Sequence, residues 1–327
     1  MCTACVLLVE QAGQRDVYAA GTLCPDPETG PDAPCAETSV FDLASLTKLF
    51  TTALCLALVR ERVLALDMPF REIVPDFRGG KKDEVTIAHV LTHTAGLLWW
   101  KPIYKEAATI DEAVWLAAEE PLAHDLGTFV YSDLGYIMLT AGLAKAGGAP
   151  FADLLKDRVL GPIGAETCAF GPRPPDVCVA TERDSEWRRK RLRGEVDDEN
   201  AYAMGGTSGH AGLFGTAADV AALASVYRDG AVIGNELATL ARREHVRQGI
   251  VRRGLGLALR ATEGPMVGRH FSEDAWGHTG FTGTTLWADP ALDLTVVLLT
   301  NRVYFGRGND EDVYRFRIAV HEAVSGG

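Results

Sequence analysis

Val40-Phe41-Asp42-Leu43-Ala44-Ser45-Leu46-Thr47-Lys48-Leu49-Phe50 runs an extended stretch, Val40 to Ala44, straight into a helical one, Leu46 to Arg60. Apolar residues recur at Leu46, Leu49, Phe50, Ala53, Leu54, Ala57 and Leu58, which is the period of a helix with the face of a core element. Ser45 stands at the junction, three residues before Lys48. Side chains at i and i+3 share a helix face, with Cβ atoms about 5–6 Å apart, so Lys48 reaches the Ser45 hydroxyl. The helix N-terminus also presents unpaired N–H groups and the positive end of its dipole to an oxyanion. An N-cap serine and a helix-forming lysine would look the same, so the tetrapeptide needs company before it means catalysis.

Composition narrows the classes. The 327 residues suffice for one large or two compact units, and 47% hydrophobic with 23% charged residues describes an ordinary globular protein. A net charge of -12 argues against nucleic acid or an anionic membrane as the main partner. Met1 to Gly13 lacks the basic and apolar regions of a secretory signal, and Ala53 to Val59 is too short to span a bilayer. A soluble cytoplasmic protein is therefore expected. The seven cysteines form an odd set better suited to reduced thiols than to a disulfide framework. Cys2 and Cys5 make a C-x-x-C, but it lies in a predicted strand and Cys24 and Cys35 lack knuckle spacing, so no metal is expected.

Ala4 to Glu10 and Asp16 to Thr22 read as a hairpin around Gly13. From Asp67 to about Asn200 the pattern shifts to short helices, Val85 to Thr92, Ile110 to Glu119, Ser132 to Lys145 and Phe151 to Val159. The basic tract Trp187 to Arg193 followed by the acidic Glu195 to Glu199 reads as a solvated, self-pairing loop. Thr216 and Asp219 resemble a capping box for a helix over Ala217 to Tyr227. Strands are predicted at Gly254 to Arg260, Gly283 to Ala288 and Leu294 to Asn301, with a closing helix near Glu311 to Val324. Strands at both ends with helices between predict one sheet built from both termini, interrupted by a helical unit.

Two further motifs give Ser45 its company. Tyr131-Ser132-Asp133 lies at a predicted helix start, and His278-Thr279-Gly280 opens a strand predicted to continue through Thr285. In this order and spacing, S-x-x-K, a Tyr-led triplet and H-T-G resemble the serine β-lactamase and penicillin-recognising superfamily. The tyrosine form is that of its class C β-lactamase, D-alanyl-D-alanine carboxypeptidase and family VIII carboxylesterase branch. Phe41 to Thr52, Val90 to Leu97, Tyr131 to Leu139 and Met204 to Val220 are similar to segments of that superfamily in the same order. The resemblance implies a β-lactamase-like fold, α/β plus all-α, whose central antiparallel sheet comes from both chain ends and is flanked by helices. Residues 1–66 and 205–327 would form the α/β sandwich and 67–204 the mostly helical domain, with the active site in the cleft between them.

The resemblance implies Ser45 as acylated nucleophile, Lys48 as its activator, Tyr131 as proton shuttle and the backbone N–H groups of Ser45 and Phe281 as oxyanion hole. Asp133, His278, Thr279 and Gly280 would bind substrate. Two departures bear on specificity. Asp133 stands where the family often has asparagine, and an ionised carboxylate there only accepts, favours the ammonium form of Lys48 and repels acidic groups. His278 replaces a lysine and offers no assured cation at neutral pH. Both lower the expectation of efficient penicillin hydrolysis.

Other candidates read as structural. His89 and His93 stand at i and i+4 but lack the glutamate of H-E-x-x-H, and His93 near a helix end reads as a capping residue. Gly206-Thr207-Ser208-Gly209-His210 evokes a nucleophile elbow with His210 in the place of its second glycine, and reads as a wall of the cleft. Trp99-Trp100 suits an apolar acyl pocket or core. The expectation is a cofactor-free serine hydrolase acting on a small ester or amide, a carboxylesterase first, then a D-amino-acid peptidase or amidase, an acyltransferase or a β-lactamase. The rival from another class is a non-hydrolytic binding or assembly member of the same fold.

Overall fold

The computed structural model describes residues 1–26, 29–308 and 310–326. In chain order the strands are β1 (Ala4–Gln11), β2 (Gln14–Gly21), β3 (Phe41–Asp42), β4 (Ala169–Phe170), β5 (Arg183–Asp184), β6 (Lys190–Arg191), β7 (Leu213–Gly215), β8 (Val246–Gln248), β9 (Val251–Arg253), β10 (Ala258–Leu259), β11 (Trp276–Thr279), β12 (Thr285–Asp289) and β13 (Leu294–Thr300). The α-helices are α1 (Thr47–Arg60), α2 (Ile87–Leu91), α3 (Ile110–Glu119), α4 (Leu134–Gly147), α5 (Phe151–Leu155), α6 (Glu199–Ala203), α7 (Ala217–Arg228), α8 (Asn235–Arg242) and α9 (Asp310–Ser325).

The main sheet has eight antiparallel strands in the order β2-β1-β13-β12-β11-β10-β9-β8, so the two chain ends meet where β1 pairs with β13, Cys5 opposite Thr300. Alternation sorts the side chains by face. Val6, Leu8, Leu286, Val297 and Leu299 join the core that includes α1 and α7, while Leu7, Val9, Trp287 and Val296 pack with Val324 of α9 on the other face. β13 is buried along its whole length, which is why Leu-Thr-Val-Val-Leu-Leu-Thr reads as a nearly continuous apolar run. α1 is buried from Thr47 to Leu58, the central helix of the molecule. The fold is the β-lactamase-like one, a large antiparallel sheet packed with helices.

Three expectations need correction. The segment from Gly254 is not a strand until Ala258, because Gly254 and Gly256 bring the backbone against Ala241 and α1, where a Cβ would fall 2.1 Å from the Ala241 carbonyl oxygen and 2.2 Å from the Thr52 hydroxyl oxygen. His278 and Thr279 end β11 rather than open a strand, since the chain turns at Gly280 to Thr284 before β12. The basic tract does pair with its acidic neighbour through Lys190 and Glu195, but it is not wholly solvated. Arg188 is buried against Asp184 at 2.8 Å, and Arg193 donates to the Cys178 carbonyl. Among the described residues no helix is long and apolar enough to cross a membrane.

Buried ionisable groups set how stability varies with pH. Burial pushes the Asp42 carboxyl up to about 6 against hydrogen bonds from the Asp197 and Ala44 N–H groups. Burial, with the nearby Glu182 and Asp42 carboxylates, pushes Asp197 up to about 8. A raised carboxyl adds stability that is present below the unfolded value near 3.8 and lost as pH rises through the folded one. Burial lowers His278 to about 3, His321 to about 4, and His93 well below 6.5, so their stability is present above 6.5 and lost as pH falls. The histidines outnumber the carboxyls below pH 6.5, and of these groups Asp197 is the one that still titrates between there and about 8. Melting followed by circular dichroism is expected to peak near pH 6.5, with roughly 2 kcal/mol lost by pH 8. Asp197→Asn is expected to flatten that alkaline limb, and an unchanged slope would contradict the assignment. Separately, Gly256→Ala, which places a methyl against Thr52 at a φ of +69°, is expected to lower unfolding free energy by about 2–4 kcal/mol in urea titrations.

Candidate active site

Local strain presents Ser45. β3 pairs with β7, and immediately after it Ala44 adopts a φ of +46°, a left-handed conformation that costs a non-glycine residue roughly 1–3 kcal/mol. The surroundings enforce it. The Asp42 carboxylate accepts the Ala44 N–H at 2.8 Å, Thr282 donates to the Asp42 carbonyl at 2.8 Å and Thr284 to the Leu43 carbonyl at 3.0 Å. Ser45 then sits in a 3-10 turn, Ala44–Leu46, that leads into α1.

The same threonines bolt the H-T-G segment to the Ser45 turn. At Gly280 a Cβ would lie 2.1 Å from the Thr284 hydroxyl oxygen and 2.6 Å from the Leu43 carbonyl oxygen, so only glycine allows this approach. Arg317 of α9 donates to the Gly280 and Thr284 carbonyls at 3.1 and 3.3 Å. The Phe281 N–H in this turn has no hydrogen-bond partner among the described residues.

Lys48 is fully buried, and its ammonium finds three acceptors: the Ser45 hydroxyl at 2.9 Å, the His210 carbonyl at 2.9 Å and the Asp133 carboxylate at 2.7 Å. Burial alone would lower its pKa, but its interactions with Asp133 first and then Tyr131 outweigh that and raise it above its usual value. An ammonium so placed has no lone pair, so it donates rather than removes a proton.

Ser45, Tyr131, Asp133, His278, Thr279, Gly280 and Phe281 all line one cleft of about 720 Å³, with Lys48 beneath it. Tyr131 holds its ring 5.1 Å from the Lys48 ammonium. Asp133 precedes α4 as its N-cap. Trp99 and Trp100 line the cleft as well, and Trp99 is 63% exposed, which favours the acyl-pocket reading over core for that residue.

His278 is neutral. Burial, then the Arg253 and Lys48 charges, hold it at about 3, and its Nδ1–H donates to the Thr279 carbonyl at 2.8 Å. The cleft's positive pole is instead Arg253 at the end of β9, a hairpin absent from the sequence reading. Its guanidinium lies 5.7 Å from the Tyr131 ring centre and 4.9 Å from that of Phe129. Its Nε is buried without an acceptor, and no carboxylate pairs with it among the described residues.

Two histidine readings change. The capping residue is His89, whose Nδ1 accepts the Thr86 N–H at 3.1 Å in a capping box. His93 lies past the helix at a φ of +58°, stacked 4.5 Å from the Tyr131 ring and accepting the Ser132 N–H at 3.1 Å. The Gly206–His210 loop runs beneath the cleft, and Ala211 after it reaches the lining. The H-T-A-G run after α2 was the one local signal for His93, while nothing local marked Arg253.

Comparison with known proteins agrees with this architecture. The family described as Beta-lactamase matches residues 4–320. An N-acetylmuramyl-L-alanine amidase of Bacillus subtilis (strain 168) is 32% identical, over 81% of this chain and 68% of its own. Esterase EstB of Burkholderia gladioli is 29% identical, over 89% of this chain and 83% of its own. The solved structure of EstCE1, a hydrolase with promiscuous acyltransferase activity, superposes with a TM-score of 0.80 at 23% identity, covering 99% of this chain and 94% of that one. With a family match spanning nearly the whole chain, this protein belongs to the β-lactamase family of serine hydrolases.

Proposed function

We propose that the protein hydrolyses a small ester or amide through an acyl-enzyme at Ser45, with carboxylesterase its leading activity. The observation that carries this reading is the saturated Lys48 ammonium donating to the Ser45 hydroxyl at 2.9 Å. A cation fixed on that oxygen stabilises the charge it gains on losing its proton, and a serine hydroxyl is a poor nucleophile without such help. Because Lys48 stays protonated, the base is the phenolate form of Tyr131, whose ring is flanked by the Lys48 and Arg253 cations and whose oxygen takes the Ser45 proton. Tyr131 then returns it to the leaving group, and the same residue activates water for deacylation. The N–H groups of Ser45 and Phe281 receive the oxyanion, and losing one such donor costs about 2.7–4 kcal/mol. Asp133, His278, Thr279 and Gly280 shape the substrate's seat. The amidase and esterase names among the relatives fit this chemistry.

Arg253 favours a second reading, a peptidase or amidase whose substrate bears a carboxylate. Asp133 is neutralised by Lys48, so it repels an acidic substrate less than the isolated carboxylate would. An unpaired guanidinium in the cleft is suited to bidentate carboxylate binding. Acyl transfer to an alcohol or amine uses the same acyl-enzyme.

Ser45→Ala is expected to abolish fluorophosphonate labelling and turnover of short-chain p-nitrophenyl esters, and Lys48→Met or Tyr131→Phe to lower kcat by about 10²–10⁴-fold. Labelling that survives Ser45→Ala would end the acyl-enzyme reading. Asp133→Asn is expected to alter the pH–rate profile by releasing Lys48 from its counter-ion. Nitrocefin and D-alanyl p-nitroanilide rank the activities: if the peptidase reading holds, Arg253→Met raises KM for substrates with a free carboxylate and leaves that for neutral esters within about twofold.

A further inference from the structure

A second serine, histidine and aspartate are joined beside this site. The Ser208 hydroxyl lies 2.7 Å from His210 Nδ1, and His210 Nε2 lies 2.8 Å from the Asp198 carboxylate. The roles follow from the partners. Burial would raise the Asp198 carboxyl, but His210, the Ala201 N–H and the Lys48 charge hold it at about 2, so it only accepts. His210 therefore carries a proton on Nε2, and its Nδ1 shares a hydrogen bond with the Ser208 hydroxyl. Yet Ser208 is 0% exposed and His210 1%, so no substrate reaches them. A second hydrolytic centre is ruled out by access rather than by geometry.

The chain ends on Lys48. The His210 carbonyl is one of the ammonium's three acceptors, and the loop is fastened on both sides of it. Thr51 donates to the Gly209 carbonyl at 2.7 Å, the Gly209 N–H donates to Thr140 at 2.9 Å, and the Leu213 N–H donates to Thr47 at 3.3 Å. Gly209 passes so close to α4 that a Cβ would sit 2.6 Å from the Tyr136 carbonyl oxygen. Those bonds set the loop's height above α1. The His210 side chain, gripped at both ring nitrogens, sets the rotation of its peptide and hence the aim of its carbonyl. Asp198 also lines the cleft, so the grip runs from the cleft wall to the ammonium.

We propose that Asp198, His210 and Ser208 form a positioning device for Lys48, holding the His210 carbonyl as the acceptor that keeps the ammonium aimed at Ser45. This rests on the reading of Ser45 as nucleophile. With that carbonyl turned away, the ammonium keeps Asp133, its charged partner, and leans from Ser45. Binding of substrate is untouched, and acylation slows.

The test measures the rate of Ser45 labelling by a fluorophosphonate, with kcat and KM for p-nitrophenyl butyrate, on the full chain. His210→Ala is expected to slow labelling and lower kcat about 10- to 100-fold with KM within about threefold, the scale of loss for a misaimed catalytic group. His210→Gln, which can bridge the same two partners, is expected to recover most of the loss. Asp198→Ala is expected to reproduce the His210→Ala defect, and the double variant to be no slower than either single one, because the residues act as a unit. Folded His210→Ala labelled at the wild-type rate, or losses that multiply in the double variant, would overturn the device. If His210→Ala does not fold, Asp198→Ala, altered at a partly exposed side chain, decides alone: a wild-type labelling rate refutes. Labelling that persists in Ser45→Ala identifies failure of the nucleophile reading instead.

Discussion

A fully buried ammonium must have every proton accepted, and the need of Lys48 for three acceptors organises the molecule around it. Those acceptors come from three separate parts of the chain: Ser45 on the turn before α1, Asp133 at the start of α4, and His210 on the loop before β7. None can supply its atom unless α1, α4 and that loop are packed in one register. The apolar run of α1 places the lysine, and the polar contacts at Thr47, Thr51 and Thr140 place what it touches. Hydrophobic burial supplies the attraction, and the buried polar network selects one arrangement among those that burial alone would tolerate.

The left-handed Ala44 is the counterpart of that constraint on the backbone. A serine at an ordinary helix start would point its hydroxyl along the helix surface, whereas the turn at Ala44 aims Ser45 at the cleft. Holding it there requires the Asp42 carboxylate below and two threonines from the H-T-G turn above. The same bonds fix the Phe281 N–H relative to Ser45. Strain before Ser45 and the placement of the Phe281 N–H are therefore one feature, and Arg317 behind the turn belongs to it because it anchors two of the turn's carbonyls.

What was legible in the sequence follows from how local each signal was. Ser45 and Lys48 are one helical turn apart, so their contact could be read from spacing. The sheet from both chain ends was legible in period-two and apolar runs, and the capping box at Thr216 and Asp219 in a four-residue signature. Arg253, His93 and the Asp198–His210 pair reach the site only through tertiary packing, and each looks ordinary in its own segment. Arg253 sits on a three-residue strand too short to show alternation. The strand end at His278 was misread because Gly280 and Gly283 punctuate the run, while the apolar and β-branched residues on either side suggested continuity.

Charge balance decides how the cleft treats substrate. Considered alone, Asp133 is an acidic group beside Ser45 and His278 a weak cation, which together argue against anionic substrates. In the folded protein the first term shrinks while the second stands. Lys48 and Asp133 form a neutral pair at 2.7 Å, whose field falls off faster than that of either ion. His278 is held neutral by burial first and then by the Arg253 and Lys48 cations. Arg302 and Arg307 are tied to carboxylates, and Arg317 to carbonyls. That leaves Arg253 as the lining guanidinium with neither a carboxylate nor a carbonyl partner among the described residues. The uncompensated group beside Tyr131 is thus a cation in a chain whose net charge is -12.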